Sequence, residues 1–136
     1  MIQVFDWPIT IYYEDTDAGG VVYHANYLKF FERARTEMLR SLGVSQHTLL
    51  EQNLGFVVRH ADIDFLRAAR LDDQLQVKSM ITELKKASLI FCQELVNPEG
   101  QLLCKALVKV ACIDNQKMRP QAMPQSIILE LTKSDR

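Results

Sequence analysis

Between His24 and Leu42 the chain keeps one period: Tyr27, Phe30, Phe31, Ala34, Met38 and Leu42 fall at helical spacing on a single stripe. No other feature constrains the fold as much. A stripe of this kind must be buried, and a helix of about 27 Å is long enough to cross a whole small sheet. Asn26 or His24 is placed to cap its start, and Gly43 directly after Leu42 is a stop signal. Glu32, Arg33, Thr36 and Arg40 lie off the stripe, toward solvent. A shorter helix is expected at "SQHTLLEQ", with Ser45 as its N-cap.

The remaining segments read as strands. "WPITIYYED" alternates Ile9, Ile11 and Tyr13 against Thr10, Tyr12 and Glu14, and Pro8 suits the start or the edge of such a strand. "GFVVRHADIDFL", "DQLQVKSMITELK", "ASLIFCQELV" and "QLLCKALVKVACID" are rich in β-branched and aromatic residues. "NPEG" and "KKAS" are tight turns between the last three, and Asp72-Asp73 marks another turn. The expectation is one strand, a long helix, then a four-strand antiparallel meander, an α+β chain with one helix buried against one sheet. "KMRPQAMP" is an irregular exit, followed by a short helix or tail at "QSIILELTK". Residues 1–136 form a single domain by their length.

Composition removes several function classes. Sixteen Lys+Arg face seventeen Asp+Glu, so no global field points to nucleic acid or to an anionic membrane. No apolar run reaches the ~20 residues that span a bilayer. "MIQVFDWPIT" has no basic region ahead of an apolar core, so no signal peptide is expected. Cys92, Cys104 and Cys112 form no CxxC pair and sit in apolar runs, which reads as buried thiols in a reducing cytoplasm.

The chemistry concentrates in "YYEDTDAGGVVYHANY". Glu14, Asp15 and Asp17 crowd just ahead of a flexible Gly19-Gly20 turn and the helix start. From spacing alone, Asp15 and Asp17 read first as turn-capping residues, with catalysis as the alternative. A metal reading lacks partners, because His24, His47 and His60 show no ligand spacing. No metal or cofactor is expected. Tyr13 and Tyr23 read as core side chains, and G-x-S-x-G is absent.

The run "YYEDTDAGGVVYHANYLKFFERARTEMLRSLG", with "FVVRHADIDFLRAARLDDQL", "KVACID" and "KMRPQAMP", resembles the 4-hydroxybenzoyl-CoA thioesterase-like branch of hotdog-fold proteins. Within that branch it is most similar to the acyl-CoA thioesterases associated with bacterial Tol-Pal gene clusters. The resemblance implies a long helix wrapped by a curved antiparallel sheet, and hydrolysis of an acyl-CoA. It places the catalytic carboxylate, as nucleophile or general base, on Asp17. It places the thioester carbonyl at the helix start, on His24, where the founding thioesterase has Tyr. Gly19 and Gly20 let the backbone approach the substrate, with Tyr23 and Tyr27 as further contacts. It also implies a homo-oligomer, a tetramer built from dimers, and an acyl carrier protein as a further partner. Arg59, Arg70, Lys85, Lys86, Lys117 and Arg119 could meet the CoA phosphates, though solvated surface is the plainer reading of each. Two alternatives compete: a hotdog dehydratase or hydratase, and a non-hydrolytic acyl-CoA or acyl-carrier-protein binding partner in envelope-lipid metabolism.

Overall fold

In the computed structural model, which describes residues 3–133, the apolar stripe forms α1 (Asn26–Ser41). Tyr27, Phe30, Phe31, Ala34, Met38 and Leu39 are buried along it, and so is Arg35. The helix starts two residues after His24, and neither predicted cap serves as one. Ala25 is the N-cap residue, without a side-chain hydrogen bond. Asn26, already helical, instead donates from Nδ2 to the Asp15 carbonyl at 2.9 Å. At the other end Gly43 has φ +87°, the left-handed conformation open to glycine. There the Gly43 amide reaches the Arg40 carbonyl and the Val44 amide the Leu39 carbonyl, which closes the last turn. The shorter helix, α2 (Gln46–Glu51), follows Ser45, whose side chain makes no capping bond.

The first strand is shorter than its alternation predicts. β1 (Phe5–Thr10) stops before Ile11, and Tyr13–Asp15 fold into a 3₁₀ turn. Ile9 and Ile11 are buried as expected. Tyr13 is 84% exposed, because the turn breaks the alternation that placed it inside.

β2 (Leu54–Phe65), β3 (Gln74–Leu84), β4 (Ser88–Val96) and β5 (Leu102–Asp114) complete the main path, and β6 (Arg119–Pro120) adds a short pairing to β5. The order is β1-β3-β4-β5-β2, antiparallel throughout. The expected four-strand meander is therefore corrected. β3, β4 and β5 do follow one another through the two predicted turns, but β2 pairs with β5 instead of β3. Residues 66–73 cross the end of the sheet, and β1 takes the place beside β3. Pro8 consequently lies on an edge strand, where a missing amide donor is tolerated. α3 (Gln125–Thr132) ends the described chain as the short helix expected there.

α1 packs on β3 and β1, and the core fills the space beneath it with Phe30, Phe31, Val77, Leu89, Phe91 and Val108. Cys104 and Cys112 are buried there, whereas Cys92 lies half-exposed on the other face of β4. A polar network of Arg35, Gln93 and Ser79 crosses the core. The Arg35 guanidinium donates to Oε1 of Gln93 at 3.0 Å, and Nε2 of Gln93 donates to the Phe31 carbonyl and to Oγ of Ser79, each at 2.9 Å. A register shift between Val58 and His60 interrupts the β2–β5 ladder.

Candidate active site

The residues after the 3₁₀ turn fold back on themselves. The Asp17 amide donates to the Val21 carbonyl at 2.9 Å, and the Gly20 amide to the Asp17 carbonyl at 3.0 Å. Gly20 takes φ +78°. Within this turn Oδ1 of Asp17 accepts from the Gly19 amide at 2.8 Å. A Cβ on Gly19 would come within 3.2 Å of that same oxygen, so the turn lets backbone and carboxylate approach closely. Oδ2 of Asp17 accepts no hydrogen bond from the described residues, and the side chain is exposed. Asp17 is thus oriented through one oxygen and offers the other.

Asp15 is its opposite. It is buried, and Oδ2 accepts from the Tyr12 amide at 2.8 Å, which caps the 3₁₀ turn. Its carbonyl receives both the Tyr23 amide at 3.0 Å and Nδ2 of Asn26. These two bonds tie the acid-bearing turn to the start of α1. The Val22 amide adds a bond to the Ala69 carbonyl at 2.9 Å, and Val21 bridges Arg70, so residues 66–73 run alongside.

His24 and Ala25 form the turn that leads into α1, and their amides donate to no carbonyl or side chain among the described residues. Such amides at a helix start are ready donors for an oxygen bearing negative charge. The His24 ring is exposed, with the Tyr23 ring at 4.6 Å and the Phe65 ring edge-on at 6.2 Å. Tyr23 is 47% exposed, which corrects its reading as core. Tyr27 is buried beneath, with its hydroxyl accepting from the Ala69 amide at 3.1 Å. Burial pushes the Tyr27 hydroxyl pKa up, against the lowering effect of that amide.

Asp17, Gly19, Gly20, Tyr23, His24 and Tyr27 therefore lie on one continuous loop and helix start. Of the six basic candidates, all exposed, Arg70 is paired directly with this loop through Val21, whereas Lys117 and Arg119 lie at the β5–β6 turn. Lys85 pairs with Glu83 instead. The sequence reading missed Asn26 as a clamp and Phe65 as a neighbour of His24. A polar residue at a helix start is the only signal that pointed to Asn26, and it suggested a cap.

The comparisons with known proteins agree with one another. Residues 12–131 match the thioesterase-like superfamily. The chain is 51% identical over 127 residues to the acyl-CoA thioester hydrolase YbgC of Escherichia coli, covering 93% of this chain and 95% of that one. It is 55% identical over 124 residues to the acyl-CoA thioesterase YbgC of Haemophilus influenzae, covering 90% of each. Among solved structures, a probable thioesterase from Bartonella henselae superposes with a TM-score of 0.84 at 39% identity, over 90% of this chain and all of that one (100%). A 1,4-dihydroxy-2-naphthoyl-CoA thioesterase from Synechocystis superposes with a TM-score of 0.90 at 26% identity, over 98% and 99%.

Proposed function

The chain belongs to the thioesterase-like superfamily, with its hotdog fold, and from that premise we propose that it hydrolyses an acyl-CoA to the free acid and CoA. One observation carries the reading: a carboxylate held through a single oxygen, two residues after an Asp15 carbonyl that is bonded to a helix start whose amides are open.

Thioester hydrolysis needs an attacking oxygen and a place for the charge that gathers on the carbonyl oxygen. In this proposal the carbonyl oxygen lies at the amides of His24 and Ala25, at the positive end of α1. The free oxygen of Asp17 then acts in one of two ways. As nucleophile it attacks the carbonyl carbon and expels CoA thiolate, and water hydrolyses the resulting mixed anhydride. As general base it takes a proton from the attacking water. CoA thiolate leaves readily, so no strong general acid is needed. The His24 imidazole contributes by contact with the acyl side, since its backbone supplies the donor.

The same proposal extends to the setting. The protein works as a tetramer, a dimer of dimers, in the cytoplasm. It serves the lipid chemistry that accompanies the Tol-Pal envelope system, with an acyl carrier protein as a further thioester donor. A half-bare sheet and the open outer edge of β2 support the assembly.

Purified protein mixed with acyl-CoAs and a thiol-reactive dye tests the activity. Release of free CoA thiol above the buffer rate is the expected result. Tight acyl-CoA binding without release across the panel would favour the non-hydrolytic binder and remove the hydrolase reading.

A further inference from the structure

α1 lies over β3 and β1 and α2 over β2; α1 meets β2 through Tyr27 against Phe65, and Val58 and Phe65 on that strand stay about half exposed. The register shift between Val58 and His60 decides what the inner face of β2 carries. Beyond it, Ile63 pairs with Ala106 and Phe65 with Cys104, both partners being core positions. A side chain shares the face of its cross-strand partner, so the extra residue at Arg59 turns Ile63 and Phe65 inward and Asp62 and Asp64 outward. Without it, two acids would point at the core and the aromatic ring at solvent.

Phe65 ends the strand and is held in place. The Leu66 and Arg67 amides both donate to the Leu103 carbonyl, at 2.9 and 3.0 Å. Its ring stands edge-on to Tyr27 at 5.4 Å and to His24 at 6.2 Å. Tyr27 is immobilised by burial and by its bond to Ala69, yet Phe65 remains 49% exposed. Val58, on the same inner row, is 53% exposed. A fixed, half-bare aromatic ring therefore borders the helix start, and an apolar row continues from it along β2.

We propose that Phe65 determines acyl specificity: its exposed ring is the surface on which the acyl group lies, and it selects apolar acyl groups of several carbons, or an aromatic ring, over acetyl. The inference rests on the thioesterase reading above. With the carbonyl at the amides of His24 and Ala25, one side of the thioester must lead to the charged CoA and the other to the acyl chain. On the CoA side the sulfur leads into an arm with two amides that need hydrogen-bond partners, so the apolar row of Phe65, Ile63 and Val58 suits the acyl side better.

The test compares the wild type with Phe65→Ala and Phe65→Leu by two readouts. The first is kcat/KM for acetyl-, hexanoyl- and benzoyl-CoA. The second is the affinity for S-methyl-, S-hexyl- and S-benzyl-CoA, thioethers that no thioesterase cleaves. In Phe65→Ala the hexanoyl-to-acetyl and benzoyl-to-acetyl ratios of kcat/KM fall about 10-fold, a change of about 1.4 kcal/mol. S-hexyl and S-benzyl binding weaken against S-methyl in step, Phe65→Leu falls between, and light scattering finds the wild-type assembly. Unchanged ratios overturn the inference, as does an equal loss across the panel. So does dissociation of the assembly, which would make the ring a subunit contact. Turnover by the wild type with unchanged ratios in the variants sinks this inference alone. Discrimination among thioethers without any turnover sinks the hydrolase reading and leaves this one standing.

Discussion

Asp15 and Asp17 carry the same side chain two positions apart, and the fold gives them opposite roles. Asp15 turns inward to the Tyr12 amide, while Asp17 stays exposed with one oxygen open. Asp17→Asn preserves shape and the bond from the Gly19 amide, so the fold persists. An amide is neither a base nor a useful nucleophile, so kcat falls at least ~100-fold with KM little changed. Asp15→Asn keeps most of the activity, because an amide oxygen still accepts from Tyr12. Steady-state kinetics beside thermal melts decide this, and an active Asp17→Asn with a dead Asp15→Asn reverses the assignment. The spacing alone identified both acids as turn residues, and both do cap turns. Which of them is buried could not be read there. It depends on the 3₁₀ turn at Tyr13–Asp15, where period-two alternation predicted strand.

At the scale of elements, the helix and its stripe were legible because the 3.6 period persists over α1. Arg35 was not, since a guanidinium on a buried face becomes intelligible only when its partner on β4 is known. Burial lowers the Arg35 pKa, partly offset by the nearby Glu32, and its cation lies 5.9 Å from the Phe91 ring centroid. Gln93→Leu removes its acceptor and also unpairs Ser79, so unfolding free energy drops by about 3 kcal/mol. Adding Arg35→Met regains most of the loss. Urea melts measure both, and a loss under about 1 kcal/mol in the single variant contradicts this account of the network. β5 supplies a pH test. Burial, with a smaller contribution from Asp64, pushes the Cys104 thiol up from 9.0 to about 12, and burial raises Cys112 as well. Between those values the unfolded thiol loses its proton and the folded one keeps it. Stability therefore falls as pH rises from about 9 toward 12, having been unaffected by this group below that range. In urea melts at pH 8 and pH 10.5, Cys104→Ala loses less stability than the wild type over the same interval; an equal loss refutes the assignment.

For the whole molecule, element order and class were legible, but the partner of β2 was not. Residues 66–73 contain Asp72-Asp73 turn chemistry that looks like a hairpin, and only the pairing of distant strands reveals a crossing. The site was legible as a loop, through its acids and glycines. Its apolar flank was hidden by a one-residue register shift. The sheet also has an outer face, where Met80, Cys92 and Leu107 lie beside a cross-strand row of Lys78, Glu94 and Lys105. A partly apolar outer face and a half-exposed inner edge favour association. Light scattering at micromolar concentration is expected to give the mass of four chains, and a monomer removes the proposed assembly.

The two margins of the sheet are unlike. β1 is short and carries Pro8, whereas β2 presents twelve residues without a proline. A margin lacking a donor is a poor template for a neighbouring strand, and a long one free of proline is a better template on either side of its register shift. Two copies can therefore join β2 to β2 about a twofold axis, each then turning a blunt β1 outward. Lengthening by strand addition stops there. In the proposed assembly the asymmetry between margins would act as a built-in terminator, favouring a closed particle where two equivalent margins would allow an endless ribbon.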